Sequence, residues 1–361
     1  MKKPAVSDSY NVYTRVGDRG YDNGVNVKSN EYTIPLKPNK IYRFRITAVN
    51  AGGESFPTEE LVAMYNPQAK ETVMIVNAFH RLSSPEVIDT DSLCGFDLDS
   101  DVGLSYGKTP AWVGHQVCFD KSKAGRSHGL GHTNNDLLGR FTAGNDFNYA
   151  YSHAEAISKA GDYNIVSLSS EDFSTATKTD NIAMLDILLG NEKNDGHSLL
   201  PYKTFTPSVR HAISAYANRG GRLLVSGSYT ASDMQQADEQ EWMAKNLHVA
   251  YGGCDRDSLA FRTDSLTDMI SCGDIAFSTY RHVNADHYAS VASDIIIPAD
   301  STLALTQMPM MRYASGNSAA VAYSDDKLRS VTMGFPFECI KEPADRNALM
   351  QRIISYLFNK Q

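Results

Sequence analysis

The residues best placed for chemistry cluster around one serine. Ser228 lies in Gly220-Gly221-Arg222-Leu223-Leu224-Val225-Ser226-Gly227-Ser228-Tyr229-Thr230-Ala231-Ser232-Asp233, where an apolar strand runs into a small-residue turn and then into a helix start that Ser232 or Asp233 can cap. At the carboxyl end of a strand in an open α/β sheet, a hydroxyl has the placement of a nucleophile and the turn's amides that of an anion cradle. His80-Arg81 closes the apolar run from Glu71, and Glu171-Asp172 follows the strand expected at Tyr163 to Leu168. Both pairs are expected at the same sheet edge as Ser228, with Tyr229, Asp233 and Glu338 beside them as a polar rim. His128-Gly129-Leu130-Gly131-His132 sets two imidazoles four residues apart. Glycines at two of the three positions between them argue for a solvated loop at the rim, not a helix presenting a zinc pair. No metal and no cofactor is implied.

The elements that must position these groups follow from periodicity. The chain has 361 residues, 42% of them hydrophobic, enough for one large domain and a smaller one. Asn66-Pro67-Gln68 reads as the linker, giving domains at 1–66 and 71–361. In the first, Tyr10 to Val16 and Lys40 to Asn50 alternate as strands, with Glu31 to Ile34 a short one between. In the second, strands are expected at Glu71 to His80, Tyr163 to Leu168 and Leu223 to Val225. Helices are expected at Tyr149 to Ile157, Ile182 to Leu189, Pro207 to Ala217, Ser232 to Leu247 and Asp345 to Phe358. That alternation predicts an α/β fold: a mostly parallel, three-layer sheet of flavodoxin type. Strand-rich segments after Val249 predict antiparallel additions at one edge. The glycine-rich insertion from about Leu82 to Asn145, with Trp112 and His115, is a candidate lid over the site.

Charge and cysteine usage exclude several classes. Lys and Arg number 34 against 42 Asp and Glu, for a net charge of -8, and no basic face is visible, so nucleic acid is not an expected partner. No apolar run reaches membrane-spanning length. The five cysteines, Cys94, Cys118, Cys254, Cys272 and Cys339, show no paired spacing. They read as small hydrophobes, with Cys254 and Cys272 able to pair in an oxidising compartment.

Two resemblances add expectations. Tyr42-x-Phe44-x-Ile46-x-Ala48-Val49-Asn50-Ala51-Gly52-Gly53-Glu54-Ser55 resembles the penultimate strand and loop of a fibronectin type III module, with Tyr42 as its corner tyrosine. Such a module implies two strands before Tyr10, so the resemblance implies an incomplete β-sandwich with half a sheet uncovered and a longer parent protein. The strand and turn at Ser228, with Val331-Thr332-Met333-Gly334-Phe335-Pro336-Phe337-Glu338, resemble the class I glutamine amidotransferase-like family. That family carries a Cys on the turn and a His-Pro-Glu after the late strand. Here Glu338 remains while the Cys and His do not, which implies a degenerate triad without glutaminase activity.

The combination, with Asn145-Asp146-Phe147-Asn148-Tyr149, resembles exported Bacteroidetes proteins labelled xanthan lyases, sometimes joined to an amidase domain. It implies a periplasmic or extracellular location, a cell-wall or polysaccharide glycan as partner, and an upstream amidase domain in the parent as a further partner. Three functions are therefore carried forward. They are a non-catalytic glycan- or peptidoglycan-associated envelope module, a hydrolase with Ser228 as nucleophile and Glu338 assisting, and a structural or partner-binding envelope domain.

Overall fold

Asp186 interrupts the apolar run Ile182 to Leu189, and the backbone there is extended: the expected helix is a central strand. Its neighbours cover both faces, so a near-continuous apolar run is what such a strand requires, and periodicity alone does not separate it from a buried helix. The computed structural model describes residues 7–17, 19–55, 57–78, 86–97, 149–190, 203–255, 269–272, 275–280, 293–300 and 307–358.

In chain order, the elements begin with β1 (Ser9–Val16), β2 (Val25–Val27), β3 (Ile41–Asn50), β4 (Gly53–Glu54) and β5 (Leu61–Met64). β6 (Glu71–Asn77), β7 (Glu86–Asp89), β8 (Cys94–Asp97), α1 (Tyr149–Ala160), β9 (Tyr163–Ser169) and β10 (Ile182–Gly190) follow. Next come α2 (Pro207–Asn218), β11 (Arg222–Gly227), α3 (Ala237–Asn246), β12 (Val249–Cys254), β13 (Met269–Cys272) and β14 (Ile275–Ser278). The described chain ends with β15 (Asp294–Pro298), β16 (Gln307–Tyr313), β17 (Ser318–Ser324), β18 (Arg329–Met333) and α4 (Pro343–Leu357).

One 14-stranded sheet dominates, in the order β14-β13-β16-β17-β18-β11-β10-β6-β9-β5-β3-β1-β2, with β4 on β3. The expected mostly parallel, flavodoxin- or amidotransferase-like sheet is overturned by this pairing. Only the contacts joining β9, β6, β10, β11 and β18 are parallel. Every other pairing in the sheet is antiparallel, and strand exceeds helix among the described residues. The sequence alternation misled because one of its expected helices is β10 and the strands at both ends join the same sheet.

The first strands form no sandwich among the described residues; they extend the main sheet. β5 pairs antiparallel with both β3 and β9, so the sheet runs on across the expected linker. Ser167 Oγ accepts from the Val62 N–H at 2.7 Å and donates to the Val62 carbonyl at 2.9 Å, standing in for backbone pairing at the seam. Below it, Arg43 Nε donates to Glu60 Oε2 at 2.7 Å with both side chains buried, and the guanidinium lies 4.3 Å from the Tyr151 ring centre of α1. Tyr42 Oη accepts from the Lys37 N–H at 3.0 Å, which ties β3 to the segment before it.

Alternation along the central strands builds two cores. Val73, Ile75, Met184, Leu224, Val331 and Met333 face α1 and α4, whereas Val76, Leu185, Ile187, Leu223 and Val225 face α2 and α3. α2 starts where Thr206 accepts from the Val209 N–H with Pro207 in the first turn, a pre-formed helix entry.

Candidate functional site

At the carboxyl end of β11, Ser226 to Ala231 are buried. The helix expected from Ser232 begins only at Ala237, and between them the chain makes a turn held by a residue sixty positions later. Asp294 Oδ2 accepts from the N–H groups of Ala231 and Ser232, each at 2.8 Å. The amides that would have made an anion cradle already hold a carboxylate of the same chain, an arrangement that uses the strength of charge-assisted bonds.

Several further contacts fix Asp294 there. Its N–H is shared between the carbonyls of Gly334 at 2.9 Å and Ser228 at 3.1 Å, and Tyr313 Oη donates to its carbonyl at 2.8 Å. Thr230 Oγ1 bonds to the carbonyls of Gly227 and Met333, each at 3.0 Å, tying the turn to the end of β18. Gly334 is required for this closeness, because a Cβ there would lie 2.0 Å from the Asp294 carbonyl oxygen. Burial, then the charge of Asp294, pushes the Tyr313 phenol well above its ordinary range. Tyr229 is raised for the same two reasons.

A second polar cluster lies inside the core on the α1 side of the sheet. His153 of α1 places Nδ1 2.8 Å from Asp186 Oδ2 and Nε2 3.2 Å from Glu338 Oε2, with all three side chains fully buried. Its ring packs edge-on to Phe337 at 4.8 Å. Burial disfavours the imidazolium, but the charge and hydrogen bond of Asp186 and then those of Glu338 outweigh it, raising the His153 pKa to about 9. The ring is therefore doubly protonated at neutral pH, with each N–H given to a carboxylate. In that state it has no lone pair with which to act as a base.

The structure disperses the other residues expected at the rim. Ser228 is wholly buried and Glu338 belongs to the His153 cluster. Glu171 and Asp172 are exposed after β9. Asp233 caps no helix: its Oδ2 accepts from the Thr204 N–H at 2.8 Å and its carbonyl accepts from Lys203 Nζ at 2.7 Å. The start of α3 is held instead by Glu239, which accepts from the Gln236 N–H at 3.1 Å. His80, Arg81, His128 and His132, with Trp112 and His115, lie outside the described residues. Cys254, at the end of β12, is exposed. No group of metal-ligating side chains occurs among the described residues.

Sequence reasoning missed His153, Asp186 and Asp294. One signal was present for Asp186: a lone carboxylate within Met184-Leu185-Asp186-Ile187-Leu188 needs a buried partner. Asp294, just before Ile295-Ile296-Ile297, carries the same mark.

Two of the concavities among the described residues bear on function. A polar pocket of about 380 Å³ between the β3–β5 end of the sheet and α1 is lined by Lys40, Asn66, Gln68, Tyr151, Glu155 and Asp162, among others. A larger groove of about 820 Å³ runs over the opposite face of β1, β3 and β5.

Comparisons with known proteins assign no family. No family profile and no curated protein matches the chain. Solved structures do match distantly. An exo-β-1,4-mannosidase from Opitutaceae bacterium strain TAV5 is similar at 11% identity and a TM-score of 0.38, over 64% of this chain and 34% of that one. The chain thus spans about a third of that protein's length, and so slight a likeness carries no functional weight. No described helix is long and apolar enough to cross a membrane.

Proposed function

We propose that this chain is a non-catalytic, glycan- or peptidoglycan-associated module of the cell envelope. The observation that carries the non-catalytic reading is the Asp294 carboxylate seated on the Ala231 and Ser232 amides. Nucleophilic catalysis needs an accessible nucleophile, a base in contact with it and free donors for the oxyanion. Ser228 is buried, its own N–H and those of Ala231 and Ser232 already have acceptors within the chain, and the His153 imidazolium is held between two carboxylates.

The glycan reading rests on the resemblance to exported Bacteroidetes proteins and on the chemistry of the polar pocket. Amides, carboxylates, lysines and a tyrosine together supply the donors and acceptors that sugar hydroxyls need. The same resemblance supports a location outside the cytoplasm.

A fluorophosphonate probe and a glutamine turnover assay test the first half. Neither a Ser228 adduct nor ammonia release is expected, and either result, if lost in Ser228→Ala, establishes the hydrolase reading instead. Thermal shift with muropeptides tests the second half. A stabilisation that Gln68→Ala and Glu155→Ala abolish supports glycan binding, and no shift with any muropeptide refutes it.

A further inference from the structure

Over β1, β3 and β5 the sheet carries an apolar face that no described helix covers. Tyr10, Val12, Phe44, Ile46, Leu61 and Ala63 form its floor, continued by Val166 of β9, which is still 36% exposed. This is the side that α2 and α3 cover farther along the sheet. Tyr32, on the rim, is 42% exposed.

One wall of the groove is the segment 29–36, an arm that bends at Ser29 and Asn30 and from Glu31 on belongs to no helix, strand or turn. It is anchored at both ends, by the pairing of β2 with β1 before it and by the Lys37 N–H on Tyr42 at 3.0 Å after it, while Ser29 Oγ accepts from the Glu31 N–H at 3.1 Å within it. Between those anchors, the backbone groups of Tyr32, Thr33 and Ile34 hydrogen-bond to no described residue. Ile34 and Leu36 are half-buried while Thr33 and Pro35 are exposed. The arm thus has the alternation of a strand without a strand partner.

We infer that this groove is a docking site for an extended strand of a partner protein, apolar at alternate positions, which pairs with the backbone of Tyr32 to Ile34 and lays side chains on Val12, Phe44, Ile46 and Leu61. The two halves of the site select this occupant. An apolar floor leaves sugar hydroxyls without partners, and open N–H and C=O groups on the arm leave an acyl chain unable to satisfy them. An extended polypeptide satisfies both at once, the strand-addition mode of recognition. A second copy pairing arm to arm would use the backbone groups and leave the groove empty. The inference stands apart from the glycan reading, which concerns the polar pocket on the other face.

The test uses the full chain as bait for a phage-displayed library of random eight-residue peptides, followed by anisotropy with the enriched peptide carrying a fluorophore. Enriched sequences should alternate apolar and polar residues. N-methylating alternate amides of that peptide should weaken binding at least tenfold, because it removes strand pairing while keeping the side chains. Hydrogen exchange at Tyr32, Thr33 and Ile34 should slow at least tenfold in the complex, and Ile46→Glu should abolish binding. The peptide modification leaves the protein untouched, so a misfolded Ile46→Glu variant does not decide the outcome. The inference is overturned if no peptide is enriched or if the N-methylated peptide binds equally well. It is also overturned if laurate protects the same amides as fully as the peptide, or if the unliganded chain dimerises with those amides already protected.

Discussion

The end of β11 and the open face of β1, β3 and β5 treat their polar groups in opposite ways. At β11, groups that sequence reading assigned to a ligand are met from within the chain: Asp294 fills the Ala231 and Ser232 amides, Thr230 ties off two carbonyls and Ser228 is sealed. On the open face, apolar side chains and arm amides are left for something else to meet. A strand-to-turn motif thus shows where a site can be, and the satisfaction of its hydrogen bonds shows whether it is one. Substitutions at the sealed end should therefore cost stability, and those on the open face should cost binding.

The largest loss is expected for His153→Leu. It leaves the buried carboxylates of Asp186 and Glu338 without their shared cation, which costs about 3–5 kcal/mol, and chemical denaturation should show it as a lower midpoint. Next is Asp294→Ala, which strands the N–H groups of buried Ala231 and half-buried Ser232 at a cost of about 3 kcal/mol. Asp294→Asn, whose carbonyl can still accept, should lose less than half of that. If Asp294→Ala proves neutral in denaturation, the end of β11 is not sealed as described.

Stability should also depend on pH through His153. Its folded pKa of about 9 lies above the ordinary 6.5, so its contribution is complete below pH 6.5 and is lost as pH rises through 9. The decline is on the order of 3 kcal/mol, and a pH series of melting temperatures should show it in the wild type and not in His153→Leu. Smaller still is Tyr42→Phe, which removes the bond from Lys37 and should cost about 1 kcal/mol. Val166→Ser and Tyr32→Ser on the open face should stay within about 0.5 kcal/mol of the wild type. A marked destabilisation by either would mean that the groove is core and not a surface.

Much of the local structure was legible. The strands at β1, β3, β9 and β11 and the helices α1, α2 and α4 follow from alternation, capping and helical periodicity. The sheet as a whole was not. β10 reads as a helix because strands buried on both faces lose the two-residue alternation that marks exposed ones. The antiparallel continuation through β5 rests on Ser167 meeting Val62, a contact 105 residues apart in sequence. The sites failed for the same reason. Asp294 reaches Ala231 across 63 residues and His153 reaches Glu338 across 185, and no local pattern encodes which buried carboxylate will meet which donor.

Hydrogen exchange at the amides of Ala231 and Ser232 tests the central claim, that the end of β11 is closed by the chain itself, most directly. With Asp294 seated on them, both should exchange only through opening as rare as that of the Leu224 amide in β11, and Asp294→Ala should accelerate them by orders of magnitude. Fast exchange of either amide in the wild type would contradict the account and reopen the turn beside Ser228 as a ligand site.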